Sequence, residues 1–430
     1  MKSKKLWSRD FTIMVIGQII SLFGNNLLRF ALSVYTLRLT GSATMFGTVL
    51  ALATIPTVIL SPIGGILADR VSRRNIMVVL DFTTAAIVFI SWFFLSGSLA
   101  VAAIIIVMVL LNIIQAFYNP AVSSSVPLLQ DGDNVVRGNA VVSQVQALAG
   151  LVGPVLGGIL SGVFGILPIV IVCAISFFIS AVLELFLHIP FTPKESDKVV
   201  AIIKKDMKTS FRFMKNDQPD ILRAMIVVAV FNFVFTPLLL VGLSVLIINI
   251  LGLSDTLYGI SYGMVFVGSM IGAILSGVLA KRLRADKLFI PLLICGLCVL
   301  PIAVGFLLNL PAMALFVVIT VCCMAAMALA SLFSIFALSF VQRRTPDTLL
   351  GQIMGYVMAL SQCASPLGQL MYGVLFDALA SRIYILLIGA TALSVLVALA
   401  SKNVFAHLGD PVPEMAGASD ALPNSEGDPD

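Results

Sequence analysis

Uncharged apolar stretches of about 20 residues recur from one end of this chain to the other. Each is long enough to cross the roughly 30 Å hydrocarbon core of a bilayer as a helix. The stretches are continuously apolar rather than alternating, which favours helices over a β-barrel. Composition agrees: 60% of the 430 residues are hydrophobic and 11% are charged. A soluble domain of this length has no means of hiding so much apolar surface, so lipid must be the solvent for most of it. The expected spans are 11–37, 45–67, 75–96, 100–118, 139–164, 167–189, 222–249, 257–280, 288–308, 312–340, 352–376 and 383–401. The apolar run after the basic N-terminus is too long for a signal core and reads as the first span.

Lys and Arg choose the orientation. One set of connections carries Lys2, Lys4, Lys5 and Arg9, then Arg70, Arg73 and Arg74, Arg137, the middle loop from Lys194 to Arg223, Lys281 to Lys287, and Arg343 with Arg344. The opposite set holds only Arg38 and Arg382. This bias places both termini in the cytoplasm of a multi-pass protein of the inner (plasma) membrane. The net charge of +5 is then an insertion signal rather than a nucleic-acid footprint. In the middle loop, Val200, Ile203, Met207, Phe211 and Met214 fall at helical spacing among lysines and arginines. That pattern suggests an amphipathic helix on the lipid surface, with a solvated linker helix as the alternative. The Pro-, Gly- and acid-rich tail after Lys402 lacks the apolar content to fold.

The chain repeats itself. Leu39-Thr-Gly-Ser42-Ala-Thr44-Met-Phe-Gly47 aligns with Leu251-Gly-Leu-Ser254-Asp-Thr256-Leu-Tyr-Gly259, 212 positions later. Gly65-Ile-Leu-Ala68-Asp-Arg70 meets Gly277-Val-Leu-Ala280-Lys-Arg282 at the same offset, and Pro154 meets Pro366. The expected architecture is all-α and integral to the membrane, with twelve transmembrane helices in two pseudo-symmetric six-helix bundles around a central cavity. The segments would be a cytoplasmic N-terminus (1–10), an N-terminal bundle (11–189), a cytoplasmic linker (190–221), a C-terminal bundle (222–401) and a disordered tail (402–430).

The segment Gly64-Gly65-Ile66-Leu67-Ala68-Asp69-Arg70-Val71-Ser72-Arg73-Arg74 closely resembles the loop signature between helices two and three of the major facilitator superfamily. A degraded copy runs from Ser276 to Asp286. Within that superfamily the chain resembles the macrolide-efflux and siderophore-export branch, through Gly17-Gln18-Ile-Ile-Ser21-Leu, Thr40-Gly41-Ser42-Ala43, Phe235-Thr-Pro237-Leu and Arg137-Gly138. The resemblance implies a secondary active transporter that exports a small amphipathic compound, powered by the proton gradient with no cofactor. A proton-coupled uptake symporter on the same fold is the alternative. The resemblance also implies that Gly64, Gly65, Asp69, Arg70, Arg73 and Arg74 form a gate at the cytoplasmic face, the plain alternative being a topology signal. In the fifth span, Gly153, Pro154, Gly157 and Gly158 resemble the antiporter signature of drug exporters. Small residues four apart leave that helix face nearly bare, and proline removes one helical hydrogen bond, so the segment is a candidate hinge or a static close-packed face.

Ionisable residues in hydrocarbon are functional candidates because their burial is costly. Arg29, Asp81 and Glu184 are the candidates here. Asp81 pairs with Arg73 or Arg74 on the plainer reading and carries a proton on the sharper one. Glu184 either carries a proton or pairs with His188. Arg29 holds a substrate anion, neutralises a carboxylate, or reaches out to the interface. Drug/proton antiporters of the superfamily carry an arginine in helix four in a pattern like Arg-x-x-Gln-Gly. Asn112-Ile-Ile-Gln115-Ala116 stands there instead, so that coupling scheme does not carry over directly, and Arg29 is the possible substitute.

Gln18, Asn25, Asn26, Gln115, Gln144, Gln146, Asn232, Phe235 and Gln362 are the candidates for the cavity lining. The six cysteines, including the Cys295-x-x-Cys298 pair, all lie in apolar segments, which suits buried small residues and not a metal or redox centre. No phosphate-binding loop of the Gly-x-x-x-x-Gly-Lys-Ser/Thr kind is found, and no cluster suggests an enzyme. The expected partners are a small molecule, protons and lipid, without nucleic acid, for a monomer.

Overall fold

The computed structural model describes residues 6–190, 218–279, 287–345 and 347–406. The middle-loop amphipathic helix, the Lys281–Arg284 cluster and the tail beyond residue 406 lie outside the described residues, while residues 402–406, expected to open the disordered tail, continue the last helix. The elements are α1 (Arg9–Thr40), α2 (Ala43–Arg70), α3 (Arg73–Trp92), α4 (Ala100–Leu129), α5 (Asp133–Phe164) and α6 (Ile166–Glu184). They are followed by α7 (Pro219–Ser244, continued by a π-helical turn Val245–Ile250) and α8 (Asp255–Leu279). Then come α9 (Phe289–Leu307, in two pieces), α10 (Ala312–Arg344), α11 (Asp347–Ala378) and α12 (Ile383–Ala406).

Among the described residues, 11 stretches are long and apolar enough to cross a membrane. The helix outside that set is α11, which packs with the others against α7 and α2. Most helices outrun the apolar windows because helical hydrogen bonding does not stop where hydrocarbon does, while α3 and α6 end at Trp92 and Glu184, short of the expected 96 and 189. The largest difference is α4, expected to end at 118 and continuing to Leu129 through Pro120, Pro127 and a serine triplet. α1 stops where Gly41 takes a left-handed conformation (φ 63°) and donates its N–H to Leu37, a backbone state that glycine tolerates without Cβ strain.

The halves pack alike. α2 lies on α4 as α8 lies on α10, α1 on α5 as α7 on α11, and α3 on α6 as α9 on α12. Two cross-half seams join them, α5 on α8 and α2 on α11, and both are built from small residues. A Cβ on Gly158 would stand 2.6 Å from the Asp255 carbonyl oxygen and 2.9 Å from Gly259. A Cβ on Gly47 would stand 2.4 Å from the Gln369 carbonyl oxygen, and Gly373 meets Ala43 as closely as 2.8 Å. Backbone therefore lies against backbone at the end of the molecule that carries Ser42. Towards the other end, Gly65, Gly277 and Gly355 meet nothing within 4 Å.

Polar contacts close the same end. The first N–H groups of a helix lack partners inside it and carry partial positive charge. α2 has no acid in its own first turn. Asp377, in the last turn of α11 beyond the expected span, supplies one from the other half. Its carboxylate accepts from Ala43 N–H (2.8 Å), Thr44 N–H (2.8 Å) and the Ser42 hydroxyl (2.7 Å). Arg38 donates to Asp255 (2.9 Å) and to the Leu253 carbonyl (2.7 Å). Asn249 donates to the Gly41 carbonyl (3.0 Å).

Partial burial works against ionisation of Asp377, but the hydrogen bonds from Ser42, Thr44 and Ala43 outweigh it and hold the carboxyl below its ordinary value of 3.8. A lowered value means that the stabilisation is complete above the ordinary value and is lost as pH falls through the lowered one. Between about pH 5 and 8 this latch is therefore constant.

Two outcomes follow. Spin labels at Leu39→Cys and Ile260→Cys, in a background freed of native cysteines, should show the Ser42 end opening in Asp377→Asn at neutral pH. The open-to-closed ratio should rise about fivefold, the worth of a lost helix cap of about 1 kcal/mol, and the wild type should not change between about pH 5 and 8. Gly158→Leu should insert normally yet depopulate the closed state by 5-fold or more, since overpacking a tight contact costs about 1–3 kcal/mol. An unchanged distance distribution in either variant contradicts the seam as described.

Candidate functional site

Below the closed end, the two halves enclose a cavity of about 210 Å³. α1 contributes Asn26, Arg29, Phe30 and Ser33, α2 contributes Phe46, Leu50 and Thr54, and α5 contributes Gly150 and Pro154. From the other half, α8 contributes Tyr258, Tyr262 and Phe266, and α11 contributes Gln369. The three α8 aromatics recur every four residues, so one helix face presents them as a ladder. Phe30 stacks on Tyr258 (4.8 Å between centroids, 18° between planes) and meets Tyr262 edge-on (5.7 Å). Tyr262 contacts Phe266 at 5.8 Å. Gly150 makes room for that last ring, since a Cβ there would lie 2.6 Å from it.

Arg29 is partly buried in this wall. No salt bridge or side-chain hydrogen bond engages its guanidinium among the described residues, and Tyr262 is its electrostatic neighbour. Gln369 is buried, and its side-chain oxygen has no hydrogen-bond partner. Arg29 and Gln369 thus line the same cavity.

A second polar cluster lies inside the N-terminal half, where α1, α3, α4 and α6 meet. Ser21 of α1 donates to Asp81 of α3 (3.0 Å), and Tyr118 of α4 donates to Glu184 of α6 (2.7 Å). Ser180 donates to the Gly17 carbonyl (3.0 Å). Gly17 is small for a reason: a Cβ there would stand 3.2 Å from the Glu184 side chain. Both carboxyls are sealed from solvent, Asp81 at 1% and Glu184 at 0% exposure. One oxygen of each has no partner, and the two groups are close enough to sense one another's charge. Such a site suits reversible protonation better than a fixed ion pair.

This placement corrects two readings of the sequence. Asp81 does not pair with Arg73 or Arg74. Arg73 donates to Ser124 (2.8 Å) and Arg74 to the Leu185 carbonyl, so both arginines tie α3 to its neighbours. Glu184 does not pair with His188, whose backbone N–H donates to Asp10 (3.1 Å). Nothing in the sequence signalled that Asp81, held by Ser21, and Glu184, held by Tyr118, share one buried cluster.

The other candidates scatter. Of the nine proposed lining residues, Asn26 alone borders the cavity between the halves. Gln18, Asn25 and Gln115 are buried within the N-terminal half. Gln144 and Gln146 are exposed. Asn232 and Gln362 border a separate hollow of about 280 Å³ formed by α7, α10 and α11. Phe235 is buried and stacked on Phe231 at 5.1 Å. Most of the cavity lining was missed, including Phe30, Ser33, Thr54, the α8 aromatics and Gln369. The four-residue spacing of the aromatics was visible, but it did not stand out in an apolar background.

In the loop signature, Gly64 lets α2 approach α4, since its Cβ would be 2.1 Å from the Ala116 carbonyl. Gly65 has open space and Arg70 is exposed. The Asp69 side chain lies outside the described residues. α5 is continuous through Pro154. It shows α1 one bare face, where Gly153 and Gly157 meet Asn26 and Phe30, and shows α8 a second, with Gly150, Gly158 and Gly162.

Known proteins match this arrangement. The family profile described as Major Facilitator Superfamily matches residues 14–368. The chain is 21% identical over 405 residues to Macrolide efflux protein A of Streptococcus pyogenes, covering 92% of this chain and 96% of that protein. It is 25% identical over 377 residues to Enterobactin exporter EntS of Salmonella choleraesuis (strain SC-B67), covering 84% of each. In fold it is similar to the crystal structure of nucleoside transporter NupG, with a TM-score of 0.73, 13% identity, and coverage of 93% of this chain and 99% of that one. Twin helical bundles around an inner cavity, matched by the family profile over most of their length, make this chain a transporter of the major facilitator superfamily.

Proposed function

We propose that this protein exports a small amphipathic compound from the cytoplasm across the inner membrane, exchanging it for protons by alternating access. The observation that carries this reading is the pairing of two unlike sites on one helix. α1 holds Arg29 at the cavity and Ser21 at the buried acids, about 12 Å apart along the helix axis at 1.5 Å per residue. Similarity to the macrolide and enterobactin exporters supports the outward direction. The bias of Lys and Arg puts the Ser42 end outside, so the conformation described here is shut to the exterior.

The residues suggest the cycle. Two anions sealed in hydrocarbon without a cationic partner are costly, so the Asp81–Glu184 pair is dry only when it holds protons. Ser21 and Tyr118 orient the two carboxyls. Their protonation from the outside and deprotonation to the inside would alter how α1 sits against α3, α4 and α6. α1 in turn carries Arg29, Phe30 and the Arg38 contact that closes the exterior end, so a shift of this one helix reaches both the cavity and the latch. The α5–α8 and α2–α11 seams give the halves surfaces on which to rock.

Everted vesicles carrying Asp81→Asn with Glu184→Gln should lose at least 10-fold of their gradient-driven substrate accumulation. They should keep substrate exchange at equal pH on both sides. Gradient-driven accumulation at the wild-type rate in the double variant would refute the pair as proton carriers. Net gradient-driven movement towards the cytoplasmic face would make the protein an uptake symporter instead.

A further inference from the structure

The cavity wall has an asymmetry of charge. Among the described residues, Arg29 is its one ionisable group that is cationic at neutral pH, and no Asp or Glu borders the cavity. The buried acids among the described residues, Asp81 and Glu184, are engaged with Ser21 and Tyr118 inside the N-terminal half. The guanidinium is thus an unneutralised cation beside low-dielectric aromatic walls, a setting in which an anion is attracted far more strongly than in water. Its planar fork matches a carboxylate in two-point contact. Next to it, Tyr258, Tyr262 and Phe266 offer faces and edges for an aromatic ring, and the buried Gln369 oxygen offers an acceptor without a donor.

We propose that Arg29 makes the cavity selective for an aromatic compound that carries an anionic group together with a hydroxyl or N–H donor. Arg29 takes the anion, the aromatic ladder takes the ring, and the Gln369 side chain accepts from the donor. A compound whose polar end is a permanent cation meets a like charge with no acid to offset it, and is rejected. A cavity of about 210 Å³ is smaller than the roughly 300 Å³ lower bound for drug-sized ligands. In this conformation it therefore grips the charged aromatic end of a ligand rather than the whole of it. The inference rests on the cavity being the substrate site, but not on proton coupling.

The test is equilibrium binding to the purified full-length protein in lipid nanodiscs, read by fluorescence. Three probes share one ring and one sulfonamide N–H: dansylglycine (anionic), its methyl ester (neutral) and a dansyl-aminoethyl-trimethylammonium (cationic). The wild type should bind the anion at least 10-fold tighter than the ester, and the cation weakest. Arg29→Gln should abolish the preference of anion over ester, while Arg29→Lys should keep most of it. Asp81→Asn with Glu184→Gln should leave the preference intact even where gradient-driven transport is lost, which separates this inference from the coupling scheme. A wild type that binds the three probes equally, prefers the cation, or binds none of them overturns the proposal. The wild-type comparison stands even if Arg29→Gln fails to fold. An Arg29→Gln protein that folds and keeps the anion preference also overturns it.

Discussion

A polar group in hydrocarbon must find its partner within the protein, because no water is there to supply one. Most of this molecule obeys that rule locally. Hydroxyls of Ser33, Thr36, Thr48 and Thr54 donate to the carbonyl one turn back, and the orphan N–H groups that open α2 are met by Asp377 of the opposite half. Against that background the unsatisfied groups stand out. They include Arg29 and the Gln369 oxygen at the cavity, and one oxygen each of Asp81 and Glu184 in the N-terminal half. In a fold that satisfies most of its polar groups, these few stay open, and the proposed cycle gives each a partner in a substrate or a proton.

The second constraint is closeness. Two bundles that open and shut cannot interlock through long side chains without unpacking at each turn of the cycle. The seams here put glycine against backbone, at Gly158 with Gly259 and at Gly47 with the Gln369 carbonyl. Such surfaces lose little side-chain entropy on contact and little interdigitation on parting. What holds them shut is then a small number of directional bonds at one end, from Asp377, Arg38 and Asn249. Arg38 belongs to the sparse set of basic residues on that side of the molecule, which gives its position a purpose beyond topology.

Much of this was legible in the sequence, unevenly. Span existence, the half-repeat and the three ionisable candidates follow from solvation arguments that one chain is enough to make. Which neighbour each ionisable group finds did not follow, because it depends on how helices distant in sequence come together. Asp81 was closer in sequence to Arg73 and Arg74 than to Glu184, yet α3 turns it towards Ser21. Amides were a poor guide to the cavity: Gln144 and Gln146 are exposed on different sides of α5, and periodicity fails to choose a face on a helix with two bare stripes. Asp377 lies one residue past the expected span 352–376 and drew no attention in the sequence. The missing signal was the acid-free first turn of α2, which has meaning only once α11 is known to lie beside it.

The account turns on a single chamber between the halves that faces one side of the membrane at a time. The most direct measurement is the reactivity of a cysteine at Ser33→Cys, on the cavity wall, towards a membrane-impermeant thiol reagent. It would be applied in turn to right-side-out and everted vesicles, with and without a cross-link that fixes the Ser42 end shut. The account predicts labelling from both sides in the free protein, and loss of labelling from the exterior alone once that end is fixed. Labelling from one side only in the free protein, or exterior labelling that survives the cross-link, would contradict it.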